Sequence, residues 1–527
     1  MVILEHYIRE SASVEGVEVD TVDVSSPHRG SVGAAPSILI TTTVWWPFLA
    51  RFAQLLQSAG CSVSALSPRG HAVRVAPITA HYDQDALRPL RALSHAIACS
   101  QPAFVLPGDD RALAHLSLLH GNGTEVERRL VEDSLGPPRG FPARVSRALL
   151  LDAAAKVGIA TPATMPIETL KDLRSWMARV DPPWVLKADG TWGGAGVKIF
   201  DRPETAEAVF RGLSKKPSLS LALRRLISNQ DAFRLGDWLA GGPRTVSAQA
   251  FIRGRPGNLA MVCRDGVVLA AIVVEAVACW GSTGPTTIGR IVHRPDLVDG
   301  AGRLARLLGL NGFVGLDFMV DESDDALLVE MNSRFTYWSI LRLGDGCDLI
   351  GAFMRSLTGR RNIPREPAPA GLIANFPLAW HWNDRDARLA ECHCDAPWDQ
   401  PALMAAMLKL PRDHSWLARG LAAIGRPLNR PMMNQAGSSM AQTTVSSIAN
   451  GYRSSTAGSE SRVDAMQIGR PPRSQRPRQS AVSRPPAILS VADAATSAAN
   501  VCDHSAVLLA GVGRARAGRR ARGRDTD

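Results

Sequence analysis

Lysine is scarce in this chain. Seven occur, at 156, 171, 187, 198, 215, 216 and 409, against 53 arginines, so a lysine set inside an apolar strand breaks the chain's own habit. Cysteine is sparse as well. The eight, at 61, 99, 263, 279, 347, 392, 394 and 502, follow no framework spacing, which excludes a disulfide-stapled scaffold and reads as a reducing, cytoplasmic setting. No apolar run suits a bilayer: the longest, Ser37 to Leu56, is cut by Pro47 and Arg51, short of the ~20 unbroken residues a span needs. The opening MVILEHYIRESASVEG also lacks a basic start followed by a long apolar stretch, so no leader is expected. No Gly-x-Gly-x-x-Gly follows the strand-like run at Ile38 to Thr43, and no Gly-Lys-Ser/Thr opens a helix. Those absences argue against an NAD-binding oxidoreductase and against a P-loop.

What is present is ordinary globular material, 45% hydrophobic and 21% charged over 527 residues, enough for roughly three to four domains. The formal charge of +11 is concentrated at one end. From Arg430 to Asp527 there are fourteen arginines, no lysine and six acids, a net +8 that leaves only +3 for the first 429 residues. A body so near neutrality offers no electrostatic footprint for nucleic acid. The tail, with RPPRSQRPRQSAVSRPP and RARAGRRARGR, could touch nucleic acid or acidic lipid, although a solvated basic tail is the plainer reading. Its Ser, Ala, Gln, Pro and Arg composition keeps no apolar period and cannot offset ordering entropy, so 431–527 reads as disordered.

The first 36 residues read as an arm. From Ser37 a strand, a helix over Phe48 to Ala59, a stop at Gly60 and the strand CSVSALSP open a βαβ alternation, continued by a helix over Leu90 to Ala98, a strand ending at Pro107 and a helix from Arg111 to Leu119. That pattern predicts a doubly wound α/β domain over 37–142. A helix over Ala143 to Val157, closed by Gly158, introduces an α+β unit over 143–362 in which the motifs concentrate. The weaker pattern of 363–430, with a helix near Met404 to Leu408, reads as a smaller C-terminal part of the folded body.

The strongest signal is WVLKADGTWGGAGVKIF from Trp184 to Phe200: a strand carrying Lys187, a loop with Gly190, Gly193, Gly194 and Gly196, and a second strand. Glycines let backbone amides approach an anion, and a lysine at the strand end supplies a point charge for phosphate. A flexible β-hairpin is the plain alternative, but burying Lys187 without an anionic partner is costly. The second signal is GLDFMVDESDDALLVEMNSR from Gly315 to Arg334, two apolar strands around a polar turn. A turn centred at Ser323 and Asp324 pairs residues whose numbers sum to 647, so Asp317 faces Glu330 and Asn332 shares their face. Facing carboxylates repel unless they share a proton or a cation, and two carboxylates with an amide oxygen suit Mg²⁺. A solvated acidic hairpin is the alternative, opposed by Phe318, Met319, Leu328 and Val329 around it.

In that order, Lys on a strand, glycine hairpin, then Asp-x12-Glu-x-Asn-x-Arg, the chain resembles the ATP-grasp superfamily, in its carboxylate-amine ligase branch that includes biotin carboxylase and the carbamoyl-phosphate synthase large chain. The resemblance spans roughly 37 to 360 and includes Gly158-Ile-Ala-Thr-Pro162. It implies a pre-ATP-grasp α/β domain followed by an α+β ATP-grasp domain of two lobes. It also implies a ligase that uses ATP to activate a carboxylate as an acyl-phosphate for attack by an amine. Lys187 would contact phosphate under the 190–196 loop. Asp317, Glu330 and Asn332 would hold Mg²⁺, with Mn²⁺ as a substitute, and Arg334 would steady the transferred phosphoryl group. In Ser247-Ala-Gln249-Ala250-Phe251-Ile252-Arg-Gly254, the four residues Gln249, Ala250, Phe251 and Ile252 would take the adenine. The family's Asp-Lys pair is replaced by Ser146-Arg147, which leaves Arg147 as the phosphate donor there.

Arg290 and His293 are substrate-side candidates by location alone. Cys392-His393-Cys394 with His381 lacks a second matching pair for zinc. Asp109-Asp110 reads as a turn, and Trp45-Trp46 as packing against the helix that follows. Small-molecule acid and amine partners are expected, and a homo-oligomer is compatible with the sequence. A non-catalytic ATP sensor or scaffold with a basic docking tail stands as the alternative.

Overall fold

The computed structural model describes residues 35–189, 196–215, 219, 244–281, 283–343, 347–359 and 371–409, all within one compact unit, Met1–Ser459. The arm before residue 35, loop glycines Gly190, Gly193 and Gly194, and the tail lie outside the described residues.

Strand β1 (Ser37–Thr41), helix α1 (Phe48–Ser58), β2 (Ser62–Ser67), β3 (Ala80–Asp83), helix α2 (Pro89–Ser100) and β4 (Phe104–Pro107) build the first layer. Its sheet is parallel, in the order β3-β2-β1-β4. Covered on both faces, β1 and β4 are apolar almost throughout, as a parallel sheet requires. The strand order reverses beside β1, so the carboxyl ends of β1 and β4 flank a topological switch point. Sequence reading missed β3, whose polar AHYD forms a half-exposed edge. Helices α3 (Asp110–Asn122) and α4 (Glu125–Leu135) follow, and α4 opens on a capping box between Thr124 and Glu127 that the sequence reading overlooked.

The helix expected over Ala143 to Val157 is broken in two, α5 (Phe141–Val145) and α6 (Arg147–Lys156). Ser146 leaves the helical region at φ −114°, ψ 117°, and its hydroxyl accepts from the Leu149 amide at 3.4 Å. A serine that bonds its own backbone favours a cap over a helix interior. The break makes Arg147 the first residue of a new helix.

Next come β5 (Thr164–Ile167), α7 (Leu170–Met177), β6 (Trp184–Ala188), β7 (Val197–Phe200), α8 (Ala206–Ser214) and β8 (Val246–Ala250). The four strands form an antiparallel sheet in the order β5-β8-β6-β7. Trp184, Leu186, Ala188, Val246 and Ala248 pack against Leu173, Trp176, Phe210 and Leu213 of the two helices. By strand alternation Val185, Lys187, Ser247 and Gln249 point to the other face.

Residues 251–253 lead into the second antiparallel sheet, made of β9 (Gly254–Arg264), β10 (Val267–Cys279), β11 (Thr286–Ile291), β12 (Gly312–Asp321) and β13 (Ala326–Asn332), with helix α9 (Pro295–Leu308) between β11 and β12. After the short β14 (Arg342–Leu343) and helix α10 (Leu349–Thr358), β15 (Leu372–Ala374) joins at the far edge, giving β13-β12-β9-β10-β11-β15. The segment after 362 therefore contributes a strand to this sheet. One face, with Ala260, Val262, Val274 and Phe313, shares a core with Phe48 and Phe52 of α1 and with Phe353 of α10. Phe52 stacks on Phe335 at 3.9 Å between ring centres, and burying each such ring stabilises by about 1.5–3 kcal/mol. The opposite face, with Leu259, Met261, Leu316 and Phe318, packs on α6 and α9. No helix among the described residues is long and apolar enough to cross a membrane.

Candidate active site

Asp317 on β12 pairs with Glu330 on β13, and Gly315 pairs with Asn332, so the two carboxylates and the amide share one face. Nearer the turn the register is shifted: Phe318 faces Leu328 and Val320 faces Ala326. The turn is thus one residue tighter than expected, and a bulge at Val329 restores the expected facing pairs. Such bulges are common where a side chain must be re-aimed beside a site. Gly315 is required here, since a Cβ would lie 2.5 Å from Thr336 Cγ2.

Asp317 accepts from Asn258 Nδ2 at 2.7 Å and from Asn332 Nδ2 at 2.9 Å. Burial, then the Glu330 charge opposite, pushes its carboxyl up to about 6 against those two donors and the Arg334 charge. Asn258, in turn, accepts from Thr286 Oγ1 at 2.8 Å and from Trp338 Nε1 at 3.4 Å. Sequence reading passed over Asn258, although a lone amide in the apolar strand GNLAMVC was a signal. Asn332 turns its oxygen to Arg334, whose Nη2 donates at 2.7 Å.

Lys187 is 9% exposed and forms no ion pair with any described residue. Burial, then the neighbouring Arg147 charge, pulls it down to about 8, with Glu330 and Asp317 acting in the opposite direction. Its cross-strand partner is Ser247, whose buried hydroxyl has no hydrogen-bond partner among the described residues. Arg147 reaches Asp189 Oδ1 at 2.9 Å through Nη1 and Glu330 Oε1 at 3.9 Å through Nη2, while its buried Nε is unpartnered among them. Asp189 and Ser247, neither singled out as a site residue from sequence, thus join the predicted group. Burial raises the Asp189 carboxyl, with Arg147 opposing.

Gln249 shares the face of Lys187 and donates to Thr164 Oγ1 at 3.1 Å. The Ala250 amide donates to the Ala163 carbonyl at 2.9 Å, and Phe251 and Ile252 begin the connection to β9, with Phe251 exposed. Gly196 closes onto β6 through its carbonyl, which accepts from the Ala188 amide at 3.0 Å.

Arg334 is buried, donates through Nε to Asp110 at 3.0 Å, and lies 4.5 Å over the Trp46 ring. Neighbouring Asp109 is a latch: it accepts from Thr42, Thr43, Arg111 and Ala112 and caps α3. Arg290 pairs with Glu275 on β11 and β10, one row from Asp317 and on the opposite face by strand alternation. His293 is exposed after β11. His381 Nε2 is occupied by the Leu408 carbonyl at 3.0 Å.

Residues 228–337 match the ATP-grasp domain family, a span that holds the expected adenine segment and the Asp317 to Arg334 motif. That match agrees with the resemblance read from the sequence. No curated protein matches the chain. Among solved structures it is similar to a biotin carboxylase and βγ-ATP complex from Campylobacter jejuni, at 14% identity and TM-score 0.47, covering 62% of this chain and 72% of that one. An L-amino acid ligase from Bacillus licheniformis follows at 14% identity and TM-score 0.46, covering 65% and 80%. The N5-carboxyaminoimidazole ribonucleotide synthetase of Thermus thermophilus follows at 17% identity and TM-score 0.45, covering 64% and 81%.

Proposed function

We propose that the protein is an ATP-dependent, Mg²⁺-requiring ligase that activates a small-molecule carboxylate for attack by an amine. The observation that carries this reading is a buried lysine with no anionic partner among the described residues, beside an arginine and opposite two facing carboxylates. A polyphosphate would satisfy Lys187, the Ser247 hydroxyl and Arg147 Nε together, since each lacks an acceptor or counter-ion among those residues. Gly190, Gly193, Gly194 and Gly196 would bring backbone amides to the same anion. Gln249, Ala250, Phe251 and Ile252, on the path between the sheets, would receive the base.

The donor set fits a hard divalent cation. Asp317 and Glu330 are oxygen donors, and burial, then the facing Glu330 charge, pushes Asp317 up, both of which a cation would offset. Asn332 would be a third ligand through the second lone pair of its oxygen, the first accepting from Arg334 Nη2. When bound, such an ion supplies charge neutralisation between phosphate oxygens. In the reaction, a substrate carboxylate oxygen bonds the γ-phosphorus as the bond to ADP breaks. The amine then bonds the acyl carbon, inorganic phosphate leaves, and the amine proton passes to solvent. Lys187 and Arg334 act by position and charge, with no protein nucleophile.

In the same reading, 37–142 is a pre-ATP-grasp domain and 143–362 the ATP-grasp domain, while the arm before residue 35 and the tail lie outside the described residues. The location is cytoplasmic and a homo-oligomer is compatible. A sensor that binds ATP without turnover is a second reading, favoured by the ion pairs that already engage Arg147. Thermal unfolding with ATP, Mg²⁺ or both tests the nucleotide site, since a ligand at 100 times its Kd stabilises by about 2.7 kcal/mol. Lys187→Ala should lose the rise. ADP release that requires both an acid and an amine separates ligase from sensor, and Glu330→Gln should abolish it at a nearly unchanged unliganded melting point.

A further inference from the structure

We propose that Trp46 and Asp110 are positioning residues that fix Arg334 for phosphoryl transfer, which brings the first α/β layer into the reaction centre. The inference rests on the phosphoryl-transfer reading above. Both residues belong to pairs, Trp45-Trp46 and Asp109-Asp110, that sequence reading assigned to packing and to a turn. The fold separates the members of each pair. Asp109 is consumed by the cap of α3 and the Thr42-Thr43 latch, with its two oxygens accepting from four residues. Asp110, one residue on, turns its carboxylate outward and takes Arg334 Nε at 3.0 Å. Trp45 lies 5.6 Å from His71, whereas Trp46 places its ring under the guanidinium at 4.5 Å.

Trp46 follows the carboxyl end of β1 and Asp110 follows that of β4, the two strands that flank the switch point. Arg334 comes from the other side, two residues beyond Asn332. With Asn332 Oδ1 on Nη2 at 2.7 Å, three contacts define the guanidinium plane: a carboxylate on one edge, an amide on another and an aromatic face beneath. Nη1 carries no hydrogen bond to any described residue, so one donor edge is left to meet a transferred group. A planar fork held at three points loses little freedom when the fourth contact forms, which is the physical value of positioning. The electrostatic attraction of a cation to an aromatic face adds to the hold.

The test uses the full chain and a phosphoryl mimic, so no natural acid or amine is needed. Mg-ADP is titrated by calorimetry with and without aluminium fluoride, which occupies the place of a phosphoryl group in flight. The readout is the ratio of the two dissociation constants. Wild type should bind Mg-ADP more tightly with aluminium fluoride, and Asp110→Asn and Trp46→Leu should each reduce that ratio about tenfold, the order expected for a charge-assisted contact. Trp46→Phe and Asp110→Glu should restore most of it, and melting points verify that every variant is folded. Folded Asn and Leu variants with the wild-type ratio would overturn the proposal, as would a Phe variant no better than Leu. If wild type binds Mg-ADP but aluminium fluoride adds nothing, the nucleotide site stands and the role given to Arg334 and its supports is refuted. If wild type does not bind Mg-ADP, the nucleotide reading falls and takes this inference with it.

Discussion

Replacing Asp317 by asparagine should stabilise the unliganded protein at neutral pH while removing its response to Mg-ATP. In the folded protein the carboxyl stands at about 6 against an ordinary 3.8, roughly two units, and each unit is worth about 1.36 kcal/mol. Ionised Asp317 therefore costs about 3 kcal/mol of folding stability at pH 7, an upper figure because the residue is only partly buried and solvent screens it. An amide carries no charge to oppose Glu330. It meets the converging Asn258 and Asn332 donors with one oxygen where a carboxylate offered two, a loss of about 1 kcal/mol. The net gain at pH 7 is then about 1–2 kcal/mol. The sign of the pH dependence follows from the raised folded value. Below about pH 4 both states of the wild type are protonated and the penalty vanishes. It grows as pH rises to about 6 and is complete above. Urea unfolding at pH 4, 5, 6 and 7 should therefore show the variant slightly less stable than wild type at the acid end and more stable at the neutral end. A variant less stable than wild type at pH 7, or a difference flat with pH, would refute the account of crowded carboxylates.

Lys187, held down to about 8, should lose its charge above that pH. The melting-point rise given by Mg-ATP should shrink between pH 7 and 9, while the unliganded protein gains stability from about pH 8 toward the ordinary lysine value of 10.5, and Lys187→Met should abolish both trends. Gly136 sits at φ +102°, and a Cβ there would lie 1.9 Å from the Gly309 carbonyl oxygen, so Gly136→Ala should lower stability by about 2–4 kcal/mol; a loss below about 1 kcal/mol in urea would mean that the contact between the end of α4 and the end of α9 yields easily.

Which residues gather at the candidate site was more legible in the sequence than how they are arranged. Lys187 stood out because lysine is rare, and Asp317, Glu330 and Asn332 because period-two alternation puts facing residues on one side of a hairpin. The turn is one residue tighter than expected, and only the bulge at Val329 restores the facing pair. Bulges depend on the strands to either side, which one hairpin's pattern does not encode. The break at Ser146 was hidden for a related reason: the apolar period continues across it from Ala143 to Leu151, and a single hydroxyl decides the local geometry. Asn258, Asp189 and Asp110 were invisible because each acts across a long sequence separation, and Trp46 packs on Phe48 as expected while its contact with Arg334, like the Arg334 to Asp110 contact spanning 224 residues, leaves no local trace.

An arginine at position 147 has a physical reason. A lysine ammonium is a single point charge, whereas the guanidinium at this position faces two carboxylates through different nitrogens, Asp189 at 2.9 Å and Glu330 at 3.9 Å, and keeps Nε in reserve. That division needs a fork, and it needs the arginine at the first turn of a helix, which the Ser146 break provides. Asp189 lies two residues beyond Lys187 on the same strand exit, so its carboxylate balances an arginine that would otherwise add a second uncompensated cation beside a buried lysine. The serine, the arginine and the aspartate therefore act as one local set. An Arg147→Lys change made alone would leave Asp189 and Glu330 competing for one ammonium, and should lower the stability of the unliganded protein by about 1 kcal/mol in urea unfolding.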